Sequence, residues 1–384
     1  MRTLNVLHLA SFDGNIGDNA NHNGVSHLWK KYLPEYDFRI TRLEMREFFW
    51  KWRKFDDEFA RMVNGYDLFV CGGGNYFELW VENSPTGTSV AIPMEVLEKI
   101  KTPCLFYALG LDPYMGAPEV CVERFRKFLD HTLGSQQFLV SVRNDGSPAS
   151  ARRVLGDSYA DRIHLMPDGG HFVQPDDHYH PELAPGSRTI GVNLAGDMLD
   201  FRFTSPNGVT LEDFKQSLRT VLSGVMRRMP DVNIVFYPHI HKDFAFISDF
   251  IRHIDDDLLR RRVTVAPYLH GQGAEKYFFD LYRKCALNVG TRLHTNICSV
   301  GLNVPSVGIV THPQIGELYA YYEMQDRALG FAEDGFTRRL EDLVLDSLEN
   351  GDAVSRRYAQ VMEGVRRDAE AFLKTMGSWL DTVL

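Results

Sequence analysis

One segment places a permanent positive charge beside a titratable proton at the expected start of a helix. Arg292 and His294 follow the apolar run 286–289 and a turn at Gly290. A helix N-terminus favours anions through its free N–H groups and its dipole. Arg adds a fixed charge there, and His titrates near neutral pH. The pattern suits an anionic substrate that must be protonated, although a capping or structural His would share it.

Two glycine-rich turns follow the first two buried runs. The first, D-G-N-I-G-D-N, contains Asn15 and Asp18 and should open a helix, where either a ligand or a plain strand-to-helix turn fits. The second is the triplet 72–74, followed by Asn75. Consecutive glycines cost chain entropy, so they indicate close approach of a substrate or of another backbone segment.

Further polar residues lie where other runs end. Arg143 follows 138–142, where a guanidinium can bind a carboxylate or phosphate through two hydrogen bonds. An ion pair with Asp145 or Asp168 is the alternative. His239 and His241 follow 232–237, but no third ligand lies at metal-site spacing, so a hydrogen-bonding loop is favoured over a metal site.

Buried strands alternating with helical stretches should carry these residues. Continuous apolar runs separated by helices are typical of parallel sheets covered on both faces, whose binding loops follow the strands. The runs are 4–10, 67–71, 103–109, 138–142, 189–194, 232–237, 262–266, 286–289 and 306–310.

The chain should form two α/β domains and a helical tail. The segment 174–187 has three Pro residues and a Gly between two strand signals, which indicates a boundary. We expect an N-terminal domain over 1–180, a C-terminal domain over 187–335, and a tail over 336–384 that packs back on the body. Two Rossmann-like domains would then face a cleft.

Composition narrows the function classes. The 384 residues carry a net charge of −9, which argues against a general nucleic-acid binder. The five Cys residues lack metal-type spacing and suit a reducing compartment. No run approaches the roughly 20 apolar residues of a membrane helix. A cytoplasmic protein is favoured, with at most peripheral contact at the inner face of the membrane.

One predicted helix, over residues 45–62, has an unusual composition. A stripe of Met, Phe and Trp is flanked by Arg46, Lys51, Arg53 and Lys54. A membrane surface or a lipid-linked substrate would suit such a basic aromatic face. We favour an ordinary amphipathic helix packed on a sheet, because the acidic run 56–58 dilutes the positive charge.

Taken in order, these pieces resemble the polysaccharide pyruvyltransferase family over residues 5 to 325. The matching segments are N-I-G-D at 15–18, G-G-G at 72–74, the G-x-G-x-x-P-like stretch 108–113, S-V-R-N-D-G-S at 141–147 with Asn144 in place of Asp, P-D at 167–168, and Arg292, His294, Gly301 and Pro305.

The resemblance implies a glycosyltransferase-B-like fold and transfer of pyruvate from phosphoenolpyruvate to a sugar, giving a cyclic ketal. It implies no metal or other cofactor. A lipid-linked acceptor and a homo-oligomer are left open. The catalytic residues implied are His294 as general acid, with Asp18 and Asp13 acting on the acceptor. Donor binding is expected of Arg292, Arg143, Arg202, His239 and Thr291, and acceptor binding of Asn15, Gly73, Gly74 and Asn75.

Two departures from the family pattern leave other functions open. Ala195 and Gln314 stand where family members often have Arg and Lys, so we expect Arg143 or Arg202 to supply a missing cation near Arg292. A nucleotide-sugar glycosyltransferase on the same fold is one alternative, with Glu317 as its candidate ribose-binding residue. A non-catalytic homologue that lost its donor site is the other.

Overall fold

The computed structural model describes all residues from Met1 to Leu384. By contacts the chain forms two compact units. Unit 1 consists of residues 1–13, 25–169 and 364–384, and unit 2 of residues 14–24 and 170–363. These bounds differ from the predicted ones because the first helix and the last helix each contribute residues to both units.

Unit 1 is built on a six-stranded parallel sheet with strand order β2-β1-β3-β5-β7-β8. The strands of this unit are β1 (Arg2–Ala10), β2 (Tyr36–Glu44), β3 (Leu68–Gly72), β4 (Phe77–Glu78), β5 (Cys104–Leu109), β6 (Leu111–Asp112), β7 (Phe138–Val142) and β8 (His164–Leu165). The short strands β4 and β6 pair separately, in parallel. The helices up to this point are α1 (Ile16–Tyr32), α2 (Arg46–Phe49), α3 (Asp57–Val63), α4 (Met94–Leu97), α5 (Glu119–Leu133), α6 (Ser147–Leu155) and α7 (Asp157–Ala160).

Unit 2 has a second six-stranded parallel sheet, ordered β11-β10-β9-β12-β13-β14. Its strands are β9 (Arg188–Asn193), β10 (Val232–Phe236), β11 (Val263–Val265), β12 (Leu287–Gly290), β13 (Ser306–Val310) and β14 (Ala328–Gly330). The remaining helices are α8 (Leu199–Arg202), α9 (Leu211–Arg228), α10 (His241–Ile251), α11 (Asp256–Arg262), α12 (Ala274–Arg283), α13 (Leu293–Gly301), α14 (Pro313–Tyr321), α15 (Phe336–Glu349) and α16 (Gly351–Val383). Short 3-10 helices cover Gly169–Phe172 and Gln325–Arg327.

Each sheet is buried between helices, as continuous apolar strands require. In unit 1 the core joins residues such as Phe69, Phe106 and Phe125, and in unit 2 residues such as Ile190 and Phe236. All five cysteines are buried, and none forms a disulfide. The two parallel sheets confirm the predicted α/β class.

The tail is helical, as predicted, and its two ends bind different sheets. Early in α16, the Tyr358 hydroxyl accepts a hydrogen bond from the backbone N–H of Ser306 at the start of β13. Near its end, the Asp381 carboxylate accepts one from Tyr36 at the start of β2. One continuous helix therefore secures a strand in each unit.

The single helix predicted over 45–62 is wrong. The structure has the short helices α2 and α3 with a turn between them, in which Lys51 adopts a left-handed conformation (φ 61°). Asp56 starts α3 afresh, because its carboxylate accepts the N–H groups of Glu58 and Phe59. The break leaves Trp50 and Trp52 exposed, whereas Phe48, Phe55 and Phe59 of the predicted stripe pack against the core, as the favoured interpretation expected.

Candidate functional site

The strand order of unit 2 locates its binding edge. Counted within the unit, the order is 3-2-1-4-5-6, so the sequence direction reverses between β9 and β12. Ligands of open parallel sheets bind outside the carboxyl ends of the strands at such a reversal. Asp197 follows β9, and Arg292 and His294 follow β12. The predicted R-x-H motif therefore lies at the expected edge.

Arg292 is the residue immediately before α13, and its side chain is held by two carboxylates. Its Nε and Nη2 donate to Asp243 Oδ2 and Oδ1 at 2.6 and 2.5 Å, which is a two-point contact. Nη2 also lies 3.0 Å from Asp197 Oδ1. Burial acts to lower the pKa of Arg292, but these carboxylates outweigh it and raise that pKa. The guanidinium is charged and fixed in position.

A second guanidinium belongs to the same cluster. Arg202 Nε lies 3.4 Å from Asp197 Oδ1, so Asp197 bridges Arg202 and Arg292. Burial lowers the pKa of Arg202, and the neighbouring charge of Arg292 adds to this effect. Burial acts to raise the pKa of Asp197, but the two Arg charges outweigh it and lower that pKa. As expected, Arg202 lies near Arg292, and a partly exposed carboxylate occupies the space between them.

His294 lies in the first turn of α13 and packs against the N-I-G-D turn. A Cβ built on Gly17 would lie 2.6 Å from His294 Nδ1 and 2.8 Å from its Cβ. Only glycine allows the imidazole and the first turn of α1 to approach so closely. Two motifs separated by more than 250 residues thus meet within unit 2.

The N-I-G-D turn is anchored to unit 2 by its own backbone. Asn15 Oδ1 accepts the N–H of Gly17 at 3.0 Å, and the N–H of Ile16 donates to the carbonyl of His239 at 3.3 Å. Asp18 therefore lies beside the Gly17–His294 contact. Asp13, by contrast, belongs to unit 1 and is exposed; its backbone binds Glu44 and Arg46.

Two predicted donor contacts are core residues in this structure. His239 is fully buried, and its Nε2 lies 2.6 Å from the Tyr282 hydroxyl. Burial, and then the charge of Arg292, lower its pKa to about 3, so this ring is neutral. The Thr291 hydroxyl accepts the N–H of Ala195 at 2.7 Å and ties the end of β12 to the end of β9. Both residues support the loops that carry Arg292 and Asp197.

Arg143 lies in unit 1 and is closed in by carboxylates. Its Nε donates to Asp145 at 2.6 Å, and its Nη1 lies 3.4 Å from Asp168. Both carboxylates are fully buried. Arg143 therefore forms the ion pairs that the sequence analysis gave as the alternative. The role of Arg143 in donor binding stays a prediction.

The glycine triplet serves close packing in unit 1. A Cβ on Gly72 would lie 2.3 Å from the Tyr107 carbonyl oxygen, and one on Gly74 would lie 2.3 Å from the ring of Tyr76. Gly73 has a left-handed backbone (φ 82°). Asn75 donates from its side-chain amide to Asp112 Oδ2 at 2.9 Å. The acceptor roles of Gly73, Gly74, Asn75 and Asn15 stay predictions.

The comparison of this sequence with family models decides the family. The model of the polysaccharide pyruvyl transferase family matches residues 15–313, which is most of the chain. The chain belongs to the polysaccharide pyruvyl transferase family. The matched range begins at the N-I-G-D turn and includes the R-x-H motif, and these are the two segments that the Gly17–His294 contact brings together.

Solved structures with a similar fold include two UDP-GlcNAc 2-epimerases and a protein bound to UDP. A UDP-GlcNAc 2-epimerase from Neisseria meningitidis, solved with UDP-GlcNAc, is 11% identical with a TM-score of 0.53, covering 97% of this chain and 99% of its own. The corresponding enzyme from Methanocaldococcus jannaschii is 11% identical with a TM-score of 0.52, covering 90% and 92%. An Anabaena protein solved with UDP is 11% identical with a TM-score of 0.55, covering 98% and 100%.

These likenesses show that this pyruvyl transferase family member has a glycosyltransferase-B-like fold. The comparison with curated proteins gave no match. Ala195 and Gln314 occupy the two positions at which the resemblance led us to expect cations. Ala195 is fully buried, and the backbone N–H of Gln314 lies 3.3 Å from His312 Nδ1. Of the two Arg residues considered as replacement cations, Arg202 shares a carboxylate with Arg292.

Sequence reasoning missed the carboxylates that organise the site. Asp243 and Asp197 hold Arg292 from 49 and 95 residues away. Nothing in the chain near Arg292 signals either partner. Asp243 follows the His239–His241 loop, so the sequence indicates the loop but not the carboxylate that holds Arg292.

Proposed function

We propose that this protein transfers the pyruvyl group of phosphoenolpyruvate to a saccharide and forms a cyclic ketal, in the synthesis of a cell-surface or exported polysaccharide. The observation that carries the proposal is the position of His294. Its imidazole lies in the first turn of α13, beside the fixed charge of Arg292 and against Gly17 of the N-I-G-D turn. A general acid next to a cation suits an anionic substrate that accepts a proton.

Donor binding uses the cluster around Asp197. Phosphoenolpyruvate carries a carboxylate and a phosphate, and burying either requires paired donors. In the proposal one of these anions takes the place of the Asp197 carboxylate between Arg292 and Arg202. Asp243 keeps its two-point contact and holds Arg292 in place during the exchange. Arg202 replaces the cation that Ala195 does not supply.

The atoms of the proposed reaction balance, and the only transfers that accompany bond formation are those of protons. His294 protonates the enol CH2, which becomes a methyl group, and a sugar hydroxyl adds to the neighbouring carbon. Phosphate leaves with its oxygen, and a second hydroxyl closes the ketal on the same carbon. The two hydroxyl protons are accounted for by the methyl group and by the released phosphate. Asp18, beside Gly17, accepts a hydroxyl proton in this scheme, and Asp13 orients the acceptor.

A nucleotide-sugar glycosyltransferase is the second candidate. The observation that favours it is the 3-2-1-4-5-6 strand order of unit 2, an arrangement that suits nucleotide binding at the reversal point. The two candidates predict different ligands for the Arg292 edge. Phosphoenolpyruvate, and neither UDP nor GDP, should raise the melting temperature of the pyruvyl transferase.

Phosphate release tests the reaction itself. The protein is incubated with phosphoenolpyruvate and a panel of saccharides, and phosphate is measured with and without each acceptor. The proposal expects acceptor-dependent release, with a product heavier than the acceptor by pyruvic acid minus water. Release with no acceptor-derived product, or stabilisation by a nucleotide alone, would reject it. Stabilisation by none of the three ligands would favour the non-catalytic alternative.

A further inference from the structure

The turn between α2 and α3 presents an unusual surface in unit 1. Residues 46–54, R-E-F-F-W-K-W-R-K, form what we call the aromatic loop. Trp52 is 72% exposed, and Trp50 and Phe49 are each 49% exposed. Three of the four exposed Phe and Trp residues in the chain lie here, the fourth being Phe244. Such a concentration of exposed apolar side chains marks an interaction site.

The aromatic loop is also positively charged in an acidic protein. It has four cations and one carboxylate, a net charge of +3, whereas the whole chain has −9. Arg53 pairs with Glu47, but Lys51 and Lys54 make no ion pair. Of the acidic run 56–58, Asp56 caps α3 and Asp57 binds Lys99, whereas Glu58 lines a second recess together with Lys51 and Lys54. Free lysines therefore flank exposed indoles.

The loop has a fixed shape with an aromatic base. The rings of Phe48 and Phe55 stack with centroids 4.0 Å apart, and both rings meet Phe59, which is buried in the core. Above them the rings of Trp50 and Trp52 lie 4.6 Å from each other. Because this aromatic base packs against the core, the fold keeps the indole rings of Trp50 and Trp52 exposed to solvent.

An apolar cavity lies beside the loop. Its volume is about 470 Å³, and its lining includes Phe48, Phe55, Val81, Pro85, Ala91 and Pro93. Lys51, Arg53 and Lys54 also line this cavity. An apolar recess surrounded by cations matches a ligand that has hydrocarbon next to negative charge.

We propose that the aromatic loop docks this protein on an anionic lipid surface. Indole rings favour the boundary between water and hydrocarbon, and nearby Lys and Arg are attracted to anionic headgroups. The negative charge of the rest of the chain repels the same surface, so the contact is restricted to the loop. No helix of the chain is long and apolar enough to cross a bilayer, so the proposed contact is peripheral. The proposal does not depend on the reaction proposed above.

Vesicle sedimentation tests the docking. The full chain is mixed with phosphatidylcholine vesicles that either lack or contain phosphatidylglycerol. We expect binding to the anionic vesicles, weakened by salt. Trp50→Ser with Trp52→Ser should weaken this binding by about tenfold or more, since two interfacial anchors are lost. Lys51→Glu with Lys54→Glu should remove the preference for anionic vesicles. Melting temperatures should be unchanged, because all four side chains project from the turn.

Phe244→Ser is the matched control, since Phe244 is 50% exposed but lies in α10 of unit 2. It should bind vesicles like the wild type. The proposal fails if the wild type ignores anionic vesicles, or if the double Trp variant binds them equally well. It also fails if the Trp substitutions convert a dimer into a monomer while vesicle binding is unchanged, which would make the loop a contact between copies.

Discussion

Each unit buries an arginine among aspartates, but the two clusters differ in access. In unit 1, Arg143 is 3% exposed, and its partners Asp145 and Asp168 are fully buried. In unit 2, Arg292 is 11% exposed, and its partner Asp197 is 25% exposed. The cluster of unit 1 is buried, whereas in the cluster of unit 2 the Asp197 carboxylate is partly exposed to solvent.

Under the function proposed above, this difference separates a structural ion pair from one that binds the donor. A buried pair whose members are fully satisfied holds its surroundings together, and removing one member leaves an uncompensated charge. A partly exposed carboxylate between two guanidiniums can be exchanged for another anion at little cost. We therefore expect changes in the unit 1 cluster to alter stability, and changes in the unit 2 cluster to alter turnover and donor affinity.

The largest effect is expected from Arg143→Met. The substitution leaves Asp145 and Asp168 buried with no cation, which should lower the free energy of unfolding by about 3–5 kcal/mol. Urea denaturation measures the loss. Arg152→Met is the control, because Arg152 also contacts two aspartates, Asp157 and Asp161, but is 54% exposed. Its cost should be much smaller, because ion pairs exposed to solvent contribute little to stability. Equal losses of unfolding free energy in the two variants would show that burial does not decide how much such a cluster contributes to stability.

His294→Asn should lower turnover by about 10²-fold or more, a typical loss for a general acid. The unfolding free energy should change little by comparison with Arg143→Met, since His294 lies at a helix start. Initial rates of phosphate release measure the effect, and His253→Asn, at an exposed position in unit 2, is the control. A wild-type rate in His294→Asn would exclude this imidazole from the mechanism.

The sequence predicts the central strands of both sheets but not every edge strand. Each of the nine predicted runs overlaps an observed strand, because buried parallel strands are continuously apolar. The strand β2 was missed. It lies at the edge of its sheet and carries Arg39, Thr41 and Arg42 at exposed positions, so it has no continuous apolar run. The break in the helix predicted over 45–62 was missed for a related reason, since a Lys in a left-handed turn has no sequence signal.

The site divides in the same way into local and long-range features. Arg292 and His294 could be found because strand, turn and helix start are adjacent in the chain. The contact of Gly17 with His294 could not, because it depends on the N-I-G-D turn packing into unit 2. The sequence alone predicts that turn within the N-terminal domain, over residues 1–180. Which distant motifs come into contact depends on long-range packing, and the spacing of residues along the chain does not reveal that packing.

Gly17→Ala should reduce turnover by roughly tenfold, since a displacement of about 1 Å at a catalytic group can cost up to 10²-fold. The new Cβ would lie 2.6 Å from His294 Nδ1, so the imidazole must move. Phosphate release and urea denaturation are measured together. Gly224→Ala, within α9, is the control, since its Cβ meets nothing within 4 Å and Ala favours a helix. Unchanged turnover in Gly17→Ala would show that the contact does not position His294.

Asp197→Asn should increase donor affinity about threefold or more, because charge-assisted hydrogen bonds then go to the donor alone. Two guanidiniums would remain against the single carboxylate of Asp243, so the cluster gains one positive charge. Isothermal titration with phosphoenolpyruvate measures the change. Asp200→Asn, on α8 but outside the Arg292 ion pairs, is the control. Weaker donor binding in Asp197→Asn would mean that Asp197 orients the guanidiniums and does not occupy the place of the donor's anion.

The smallest effect is expected from Glu78, a half-buried carboxyl of unit 1 whose Oε2 has no hydrogen-bond partner. Burial raises its pKa from 4.5 to about 7, and a hydrogen bond with Ser89 offsets this only in part. The folded protein therefore holds this proton more tightly than the unfolded chain does. Its contribution to stability is complete below the unfolded pKa and is lost as the pH rises through about 7.

Glu78→Gln removes this titration, so the variant should lose less stability than the wild type as the pH rises from 4.5 to 7. Urea midpoints at a series of pH values measure the difference, with the exposed Glu95→Gln as the control. Buried histidines such as His8 change stability in both proteins alike, so only the difference between the two curves reports on Glu78. Parallel curves would show that this carboxyl ionises as it does in water. Divergent curves with equal turnover would confirm that the buried polar groups of unit 1 act through stability, in contrast to those around Arg292.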